Sequence, residues 1–338
     1  MPLKYKFLKV LTIIMTATLI ALIIDMYTFL NNPMRLADDY LYELKPGASV
    51  SSLARDLRRE NILERGIYLS LWSRLTGQAR NLKAGEYRIT PTMTPFQLLD
   101  AMEKGKVQQY SLTLVEGWTF WQMMAEVNQS PYLQHRLRGL SDEEIMEKIG
   151  HAGEHPEGRF YPDTYHFPKG LDDINFLKRA YDEMDNRLHV AWQKRDTGLP
   201  FDSAYQALIM ASIVEKESAL ADERTRIAGV FINRLRKGMR LQTDPTVIYG
   251  LGPDFDGDIR FKDLRTDTPY NTYTRKGLPP TPIAMPGQGA IEAVMHPDNT
   301  PYLYFVALGD GSGSHVFSVT LEEHEQAVNK YQRKRRKK

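Results

Sequence analysis

Ser203–Leu220 reads SAYQALIMASIVEKESAL, and the rest of the chain is organised around it. No Gly or Pro interrupts the stretch, and Asp202 or Ser203 stands where a first turn is capped. The spacing therefore predicts a helix from Ala204 to Leu220. Met210, Ile213/Val214, Glu217 and Ala221 fall on one stripe at three-and-four spacing. Glu217 thus interrupts an apolar stripe. Glu215 lies on a neighbouring one with Ala211, Ser212, Ser218 and Ala219. A carboxyl group among apolar side chains is desolvated, its pKa rises, and it becomes able to hold and give a proton near neutral pH. The plainer alternative is that Glu217 pairs with a nearby Lys or Arg and closes a core edge.

At 338 residues the chain is too long for one ordinary domain, so two or three are expected. Apolar residues make up 42% and charged ones 25%, values of a folded globular protein that exclude large-scale disorder. A formal net charge of +2 selects no partner class. The exception is Lys330–Lys338, where seven of nine side chains are basic. The absence of Cys excludes disulfides, thiolate metal sites and a Cys nucleophile. The eight His are scattered with no H-E-x-x-H, and His151 and His155 sit in a loop with Gly and Pro. Neither a metal nor another cofactor is expected.

At the N-terminus Lys4, Lys6 and Lys9 precede an uncharged run from Val10 to Ile24; Asp25 follows, and MYTFL extends the apolar character to Leu30. A helix from Leu8 to Leu30 would be ~34 Å long, enough for a bilayer core of ~30 Å. A cleaved signal peptide is the competing reading. No A-x-A site follows the run, and Tyr27 and Phe29 suit an interfacial belt, which favours an uncleaved anchor over residues 1–31. The basic residues before the span place the N-terminus in the cytoplasm and the body outside it. The basic tail, residues 330–338, then reads as a solvated segment or one drawn to anionic lipid or wall polymer, and nucleic acid is not an expected partner.

From Tyr40 the pattern is α+β. Leu41–Leu44 reads as a strand, KPGAS (45–49) as a turn ending in a helix cap, and Val50, Leu53 and Leu57 as one face of a helix. A helix over 65–75, a strand over 83–89 and a helix capped by Thr94 follow. Strand, Gly and helix then return at YSLTLVEG (110–117) and Trp118–Asn128, so two related small units are expected. Ser130–Gly158 is rich in loop residues, and a domain boundary is expected there, dividing 40–150 from 151–329. Helices over 174–194 and 223–237 flank the Glu217 helix. The final third reads mostly as loop until YLYFVA and HVFSVT, a hairpin around GDGSGS. Those glycines are no phosphate loop, since neither Lys-Ser/Thr nor a helix follows.

The loops between carry amides, hydroxyls and tyrosine rings: LQTDPT (241–246), PYNTYT (269–274) and GLPPTPI (277–283). Rings stack on sugar faces, and Asn, Gln and Thr bond to hydroxyl and acetamido groups, so the segment fits a carbohydrate site as well as ordinary loop material.

ASIVEKES, FINRL, LQTDPTVIYG, YNTYT, GLPP and the late AVMHP, YLYFVA and H-F elements together resemble the YceG-like, MltG-type endolytic murein transglycosylases. The similarity extends to EGRFYPDTY, to a LysM-like unit around KPGASV and KAGEYRITP, and to the N-terminal anchor. It leaves out only the basic tail. The resemblance implies three parts: an anchor, a small LysM-like α+β domain, and a larger α+β catalytic domain with a Glu-bearing helix. It implies a lytic transglycosylase that cuts the β-1,4 bond between N-acetylmuramic acid and N-acetylglucosamine within peptidoglycan glycan strands, leaving 1,6-anhydro ends. The expected location is the bacterial inner membrane, single-pass, body outside, with peptidoglycan synthases as candidate partners. In that family the essential acid is the second Glu of E-K-E, here Glu217. Substrate-contacting positions correspond to Glu157, Asp163, Ser218, Gln242, Thr243, Tyr270, Asn271, Thr272 and Tyr273. Thr281 and Met285 depart from the family pattern, where Gly and Asn are common, and Ser218 stands where relatives often carry Thr.

A glycoside hydrolase usually needs two carboxylates, whereas a transglycosylase needs one, because the sugar's own 6-hydroxyl replaces water. Glu215, two residues from Glu217, points to another face of the helix and so remains only a candidate second carboxylate. A muramidase-type hydrolase using the same residues, and a non-catalytic wall-binding scaffold, are the two rival readings.

Overall fold

The computed structural model describes residues 3–333 apart from 219. Ala219 and the basic residues 334–338 lie outside the described residues. The chain divides into two compact units. One comprises residues 1–110 with 166–170, the other 111–165 with 171–338. The loop-rich stretch 130–158, where the sequence reading puts a boundary, lies inside the second unit. Its Gly and Pro residues serve local turns there: Gly150, for example, takes the left-handed cap after a short helix.

The first unit opens with α1 (Leu3–Asn31), whose segment Lys4–Asn31 is long and apolar enough to cross a membrane. Its side chains from Lys4 to Leu22 are exposed, whereas Met26 and Leu30 are buried in the unit's core. Next come β1 (Tyr40–Leu44), α2 (Val50–Arg59), α3 (Gly66–Leu75), β2 (Gly85–Ile89) and α4 (Pro95–Lys104). β1 and β2 pair antiparallel, Tyr40 opposite Ile89 and Leu44 opposite Gly85. Reciprocal caps, Ser49 with Ser52 and Thr94 with Gln97, open α2 and α4. Leu53, Leu57, Leu69, Tyr87 and Leu98 fill the core between them.

β3 (Gln109–Thr113), α5 (Phe120–Gln129), α6 (Asp142–Ile149) and β4 (Thr164–Pro168) repeat the order strand, helix, helix, strand. The repeat is visible in detail. Gly47 and Gly117, each at φ 76, stand two residues before the capping Ser49 and Thr119, at a turn that needs the left-handed region. β3 pairs with β4, and the chain passes between the two units within these strands.

Helices dominate the second unit. α7 (Asp173–Lys194), α8 (Ala204–Glu217), α9 (Arg224–Arg236) and α12 (Gln288–Met295) share one core, with α10 (Asp244–Leu251) and α11 (Phe261–Arg265) between α9 and α12. Every residue of α8 from Ala207 to Val214 is buried, so this helix is the unit's axis. α10 and α12 correct the expectation of a mostly loop-like final third. Pro245 opens α10 in its first turn, where no amide donor is needed, and Gly252 ends it. In α12, Ile291 and Val294 are fully buried, and that burial outweighs the poor helix propensity of Gly289. β5 (Tyr304–Ala307) and β6 (His315–Ser318) form the expected hairpin, and α13 (Leu321–Val328) follows.

One further correction bears on the site. α8 stops at Glu217 rather than continuing to Leu220, because Ser218 turns extended (φ −124, ψ 116) and its hydroxyl donates to the Leu220 carbonyl at 2.8 Å. Ala221 therefore begins a separate short turn, not another step of the Glu217 stripe.

Candidate active site

Ending α8 at Glu217 places that carboxyl in the last helical turn, beside carbonyls that have no partner further along the helix. The negative end of a helix dipole disfavours a second negative charge. Glu217 faces a cavity of about 530 Å³. Burial pushes its pKa up, and the nearby charge of Asp244 pushes the same way, while a hydrogen bond from Thr243 and the fields of His315 and Arg234 pull it down. The net direction is upward, so the group keeps its proton to higher pH than a free glutamate.

The Thr243 hydroxyl donates directly to Glu217 Oε1. Thr243 is itself buried, and its amide donates to Thr272 Oγ1 at 3.1 Å; the Thr272 hydroxyl lies 2.9 Å from that of Thr246. Gln242, just before, sits at φ 52, a left-handed conformation that a side chain with Cβ adopts at a cost of about 1–3 kcal/mol. The backbone bond from Gln242 N to the Thr272 carbonyl (3.2 Å) holds it there, and its side chain lines the cavity. Strain of this kind persists where surrounding structure over-determines it.

Three groups that the sequence reading did not select as site residues also line the cavity. Asp244 lines the cavity with Tyr273, whose hydroxyl donates to Asp244 Oδ1 at 2.5 Å. Arg234, on α9, is buried in the wall. Its Nε donates to the Leu303 carbonyl (2.6 Å) and Nη1 to the Leu241 carbonyl (2.7 Å), tying the Gln242 loop to the start of the hairpin. Burial lowers the guanidinium pKa, though an Arg remains a cation. His315, on β6, also faces the cavity, and its Nδ1 lies 2.7 Å from Glu223 Oε2. Asp244 and Arg234 stand inside strings already noticed, LQTDPT and FINRL. What the strings lack is any local sign that these positions converge.

Of the expected site residues, Glu217, Gln242 and Tyr273 line the cavity, Thr243 bonds the carboxyl, and Thr272 supports Thr243. The others stand elsewhere. Asn271 is buried and donates to the carbonyls of Asp263, Leu264 and Thr266, a brace for its loop. Tyr270 packs edge-on against Tyr249 at 4.8 Å, with its hydroxyl 2.9 Å from Thr281 Oγ1. Ser218 closes the end of α8. Asp163 is exposed beside β4 and accepts from the Thr164 amide at 2.7 Å. Glu157 is almost fully buried, and both its oxygens lie 3.1 Å from the Phe120 amide, the first of α5. Neither it nor Asp163 lines the cavity.

Glu215, the candidate second carboxylate, points away from the cavity. Its Oε1 lies 3.4 Å from Arg224 Nη2 and its Oε2 accepts from the Gly287 amide at 3.0 Å. Among the described residues no group of three or more His, Cys, Asp or Glu is placed to hold a metal ion.

Fold and site together define an α+β protein with an N-terminal apolar helix and one enclosed carboxyl group at a helix end, surrounded by hydroxyl, amide and aromatic groups. The chain belongs to the YceG-like family, whose model matches residues 42–330. An endolytic murein transglycosylase of Bacillus subtilis is 32% identical over 302 residues, covering 84% of this chain and 82% of that protein. A Streptococcus pneumoniae protein of the same name is 27% identical over 316 residues, covering 83% of this chain and 56% of the pneumococcal one. Among solved structures, a yceG-like protein of Listeria monocytogenes aligns with a TM-score of 0.56 at 31% identity, over 86% of this chain and 99% of that one.

Proposed function

We propose that this chain is a membrane-anchored endolytic lytic transglycosylase that cuts the MurNAc–GlcNAc β-1,4 bond within peptidoglycan glycan strands and leaves 1,6-anhydro ends. The observation that carries the reading is the environment of Glu217. A carboxyl with raised pKa, fixed by one hydroxyl donor, opens on a cavity lined by amide, phenol and aromatic groups. The names of the relatives support the substrate.

In this mechanism protonated Glu217 gives its proton to the glycosidic oxygen as the bond from the anomeric carbon to that oxygen breaks. The new carboxylate then takes the proton of the muramic acid 6-hydroxyl while that oxygen bonds to the anomeric carbon. Glu217 ends protonated, and no water is consumed. The attack is intramolecular, so positioning replaces a bound nucleophile. Asp244 faces the positive charge that develops on the ring. Because Asp244 shares the cavity with Glu217, a muramidase-type hydrolase with Asp244 as the water-activating base is the second reading.

The same proposal assigns residues 1–31 to a single span of the bacterial inner membrane, N-terminus inside and body outside, on the strength of Lys4, Lys6 and Lys9 before the apolar helix. It assigns 151–329 to the chemistry and, within 40–150, a LysM-like glycan guide to about Tyr40–Lys106; synthases that make the strand are the expected protein partners.

The test is full-length protein in detergent on uncrosslinked glycan strands, with products read by mass. Wild type yields anhydro ends, and Glu217→Gln loses about 10²–10⁴-fold or more of the rate. Reducing ends from wild type would establish the hydrolase instead. Full activity in the variant would remove Glu217 from the chemistry. The inactive full chain also tests the guide. Replacing the exposed Lys45 in its KPGAS turn weakens retention on insoluble peptidoglycan if that turn contacts glycan, and unchanged retention counts against it.

A further inference from the structure

Scattered exposed aliphatic residues are normal on a protein surface, but a contiguous stripe is not. α3 carries one. Ile67, Leu71 and Leu75, at four-residue spacing, are 74%, 47% and 70% exposed. The inward face of the same helix is made by Leu69 and Ser73. Between the two faces on one side lie Tyr68 and Trp72, and Trp72 meets the half-exposed Phe96 edge-on at 6.2 Å. Only Ser70 and Arg74 give the helix a polar edge. For a surface helix facing water this apolar arc is too wide.

α3 is also tied to the end of the apolar run in α1. Asp25 is the first charge after Val10–Ile24. Arg65 Nη1, one residue ahead of α3, lies 2.7 and 2.5 Å from the two Asp25 oxygens, and the Tyr68 hydroxyl donates to Asp25 Oδ2 at 2.6 Å. Phe29 packs edge-on against Tyr68 at 5.7 Å. α1 is exposed up to this point and buried in the unit's core beyond it, at Met26 and Leu30. The level at which the apolar run ends is therefore the level of the first turn of α3. Arg74, exposed on α3 next to Leu75 and with its Nη2 3.4 Å from Ser51 Oγ, is the cation this helix offers to lipid headgroups.

We propose that α3 lies in the outer headgroup layer of the bilayer beside the span, with Ile67, Leu71 and Leu75 inserted towards the acyl chains. The first unit is then seated on the membrane and not tethered above it. The inference rests on the reading of α1 as a membrane span and adds a second, interfacial contact to it. Lipid is the occupant because the stripe continues, through the Asp25 cluster, a helix whose own apolar surface has no protein cover.

The chain has no Cys, so single substitutions can be labelled cleanly. Full-length protein carrying Ile67→Cys, Leu71→Cys or Leu75→Cys, with Ile14→Cys and Arg55→Cys as references, is labelled with an environment-sensitive fluorophore. It is then reconstituted in vesicles of phosphatidylcholine and phosphatidylglycerol. The seated arrangement predicts quenching at 67, 71 and 75 by lipids with a shallow spin label, quenching at 14 by a deep one, and quenching at 55 only by aqueous iodide. Adding Leu71→Glu abolishes the shallow quenching at 67 while the thermal melt stays unchanged, since residue 71 is exposed. Iodide access at 67, 71 and 75 with deep quenching at 14 overturns the seating and leaves the span standing. Iodide access at 14 removes the span and the seating with it. Protection at 67, 71 and 75 from both quenchers means that protein covers the stripe, a second copy or another chain, and that also overturns the proposal.

Discussion

Glu157 has two incompatible jobs on offer, and one substitution separates them. As a substrate contact it would be exposed in a cleft. In the structure it is buried, bonded to the Phe120 amide at the start of α5, and its pKa is pushed up from the ordinary 4.5 to about 7. Burial is the largest cause; the Phe120 amide, the Tyr249 hydroxyl and the Gly158 amide oppose it without cancelling it. The sign follows directly. In the unfolded chain the group loses its proton near 4.5, and in the folded protein only near 7. Between those values the folded state binds more protons, so stability falls as pH rises through that window and levels off above it. At about 1.4 kcal/mol per pKa unit the full effect is about 3 kcal/mol.

Glu157→Gln keeps an oxygen for the Phe120 amide and removes the titration. The variant should match wild type or fall slightly below it near pH 4.5, and should gain on it by about 1–3 kcal/mol by pH 8. Urea unfolding of the full chain in a mild non-ionic detergent reads this, because Trp118 and Trp121 flank the start of α5. Transglycosylase activity should remain near wild type. A stability difference that stays flat from pH 4.5 to 8.5, together with a large loss of activity, would refute the reasoning and return Glu157 to the cleft.

Thr243 and Asp244 act on Glu217 with opposite signs, so Thr243→Val should move the alkaline limb of the pH–rate profile up and Asp244→Asn should move it down. Shifts in the same direction would mean that the limb belongs to another group. Glu215→Gln should keep most activity, because its partners are Arg224 and the Gly287 amide and not the cavity. Its stability in the same urea assay should change by less than about 1 kcal/mol near neutral pH, because burial opposes the Glu215 charge while Arg224 and the Gly287 amide favour it. Loss of activity without loss of stability would place Glu215 in the chemistry instead.

Part of this was legible in the chain and part was not, for identifiable reasons. The three-and-four spacing set Glu217 in line with Met210, Ile213 and Val214, although the middle of α8, buried on every side, has little periodicity of its own. It could not show that Ser218 would turn extended, since the bond that closes the helix end runs from a hydroxyl to a carbonyl two residues on. The polar loops were recognisable as a set, but sorting them was not possible locally. Thr243 meets Glu217 across 26 positions, and Asn271, the same kind of residue in the same kind of loop, turns inward to brace three carbonyls. The family resemblance alone implies a substrate contact at Glu157, and nothing local in the sequence marks it as buried. Its partner, the Phe120 amide, is 37 residues away. α10 and α12 were hidden by the Pro and Gly in their first turns, where those residues cost little.

Glu215 and Glu217 make the same point about chemistry on a single helix. Both are desolvated, and burial raises the pKa of each. Composition and helix cannot tell them apart; their partners can. Glu215 is held by a guanidinium and a backbone amide, so a negative charge there is compensated and the group is fixed in the core. Glu217 has one hydroxyl donor, a carboxylate neighbour in Asp244 and an open cavity in front of it. Thr243, His315 and Arg234 offset the charge of an ionised Glu217 only in part, so the carboxyl keeps its proton until a substrate oxygen takes it. By what the rest of the chain brings to each, the proposed mechanism divides two carboxyls two residues apart between structure and acid catalysis.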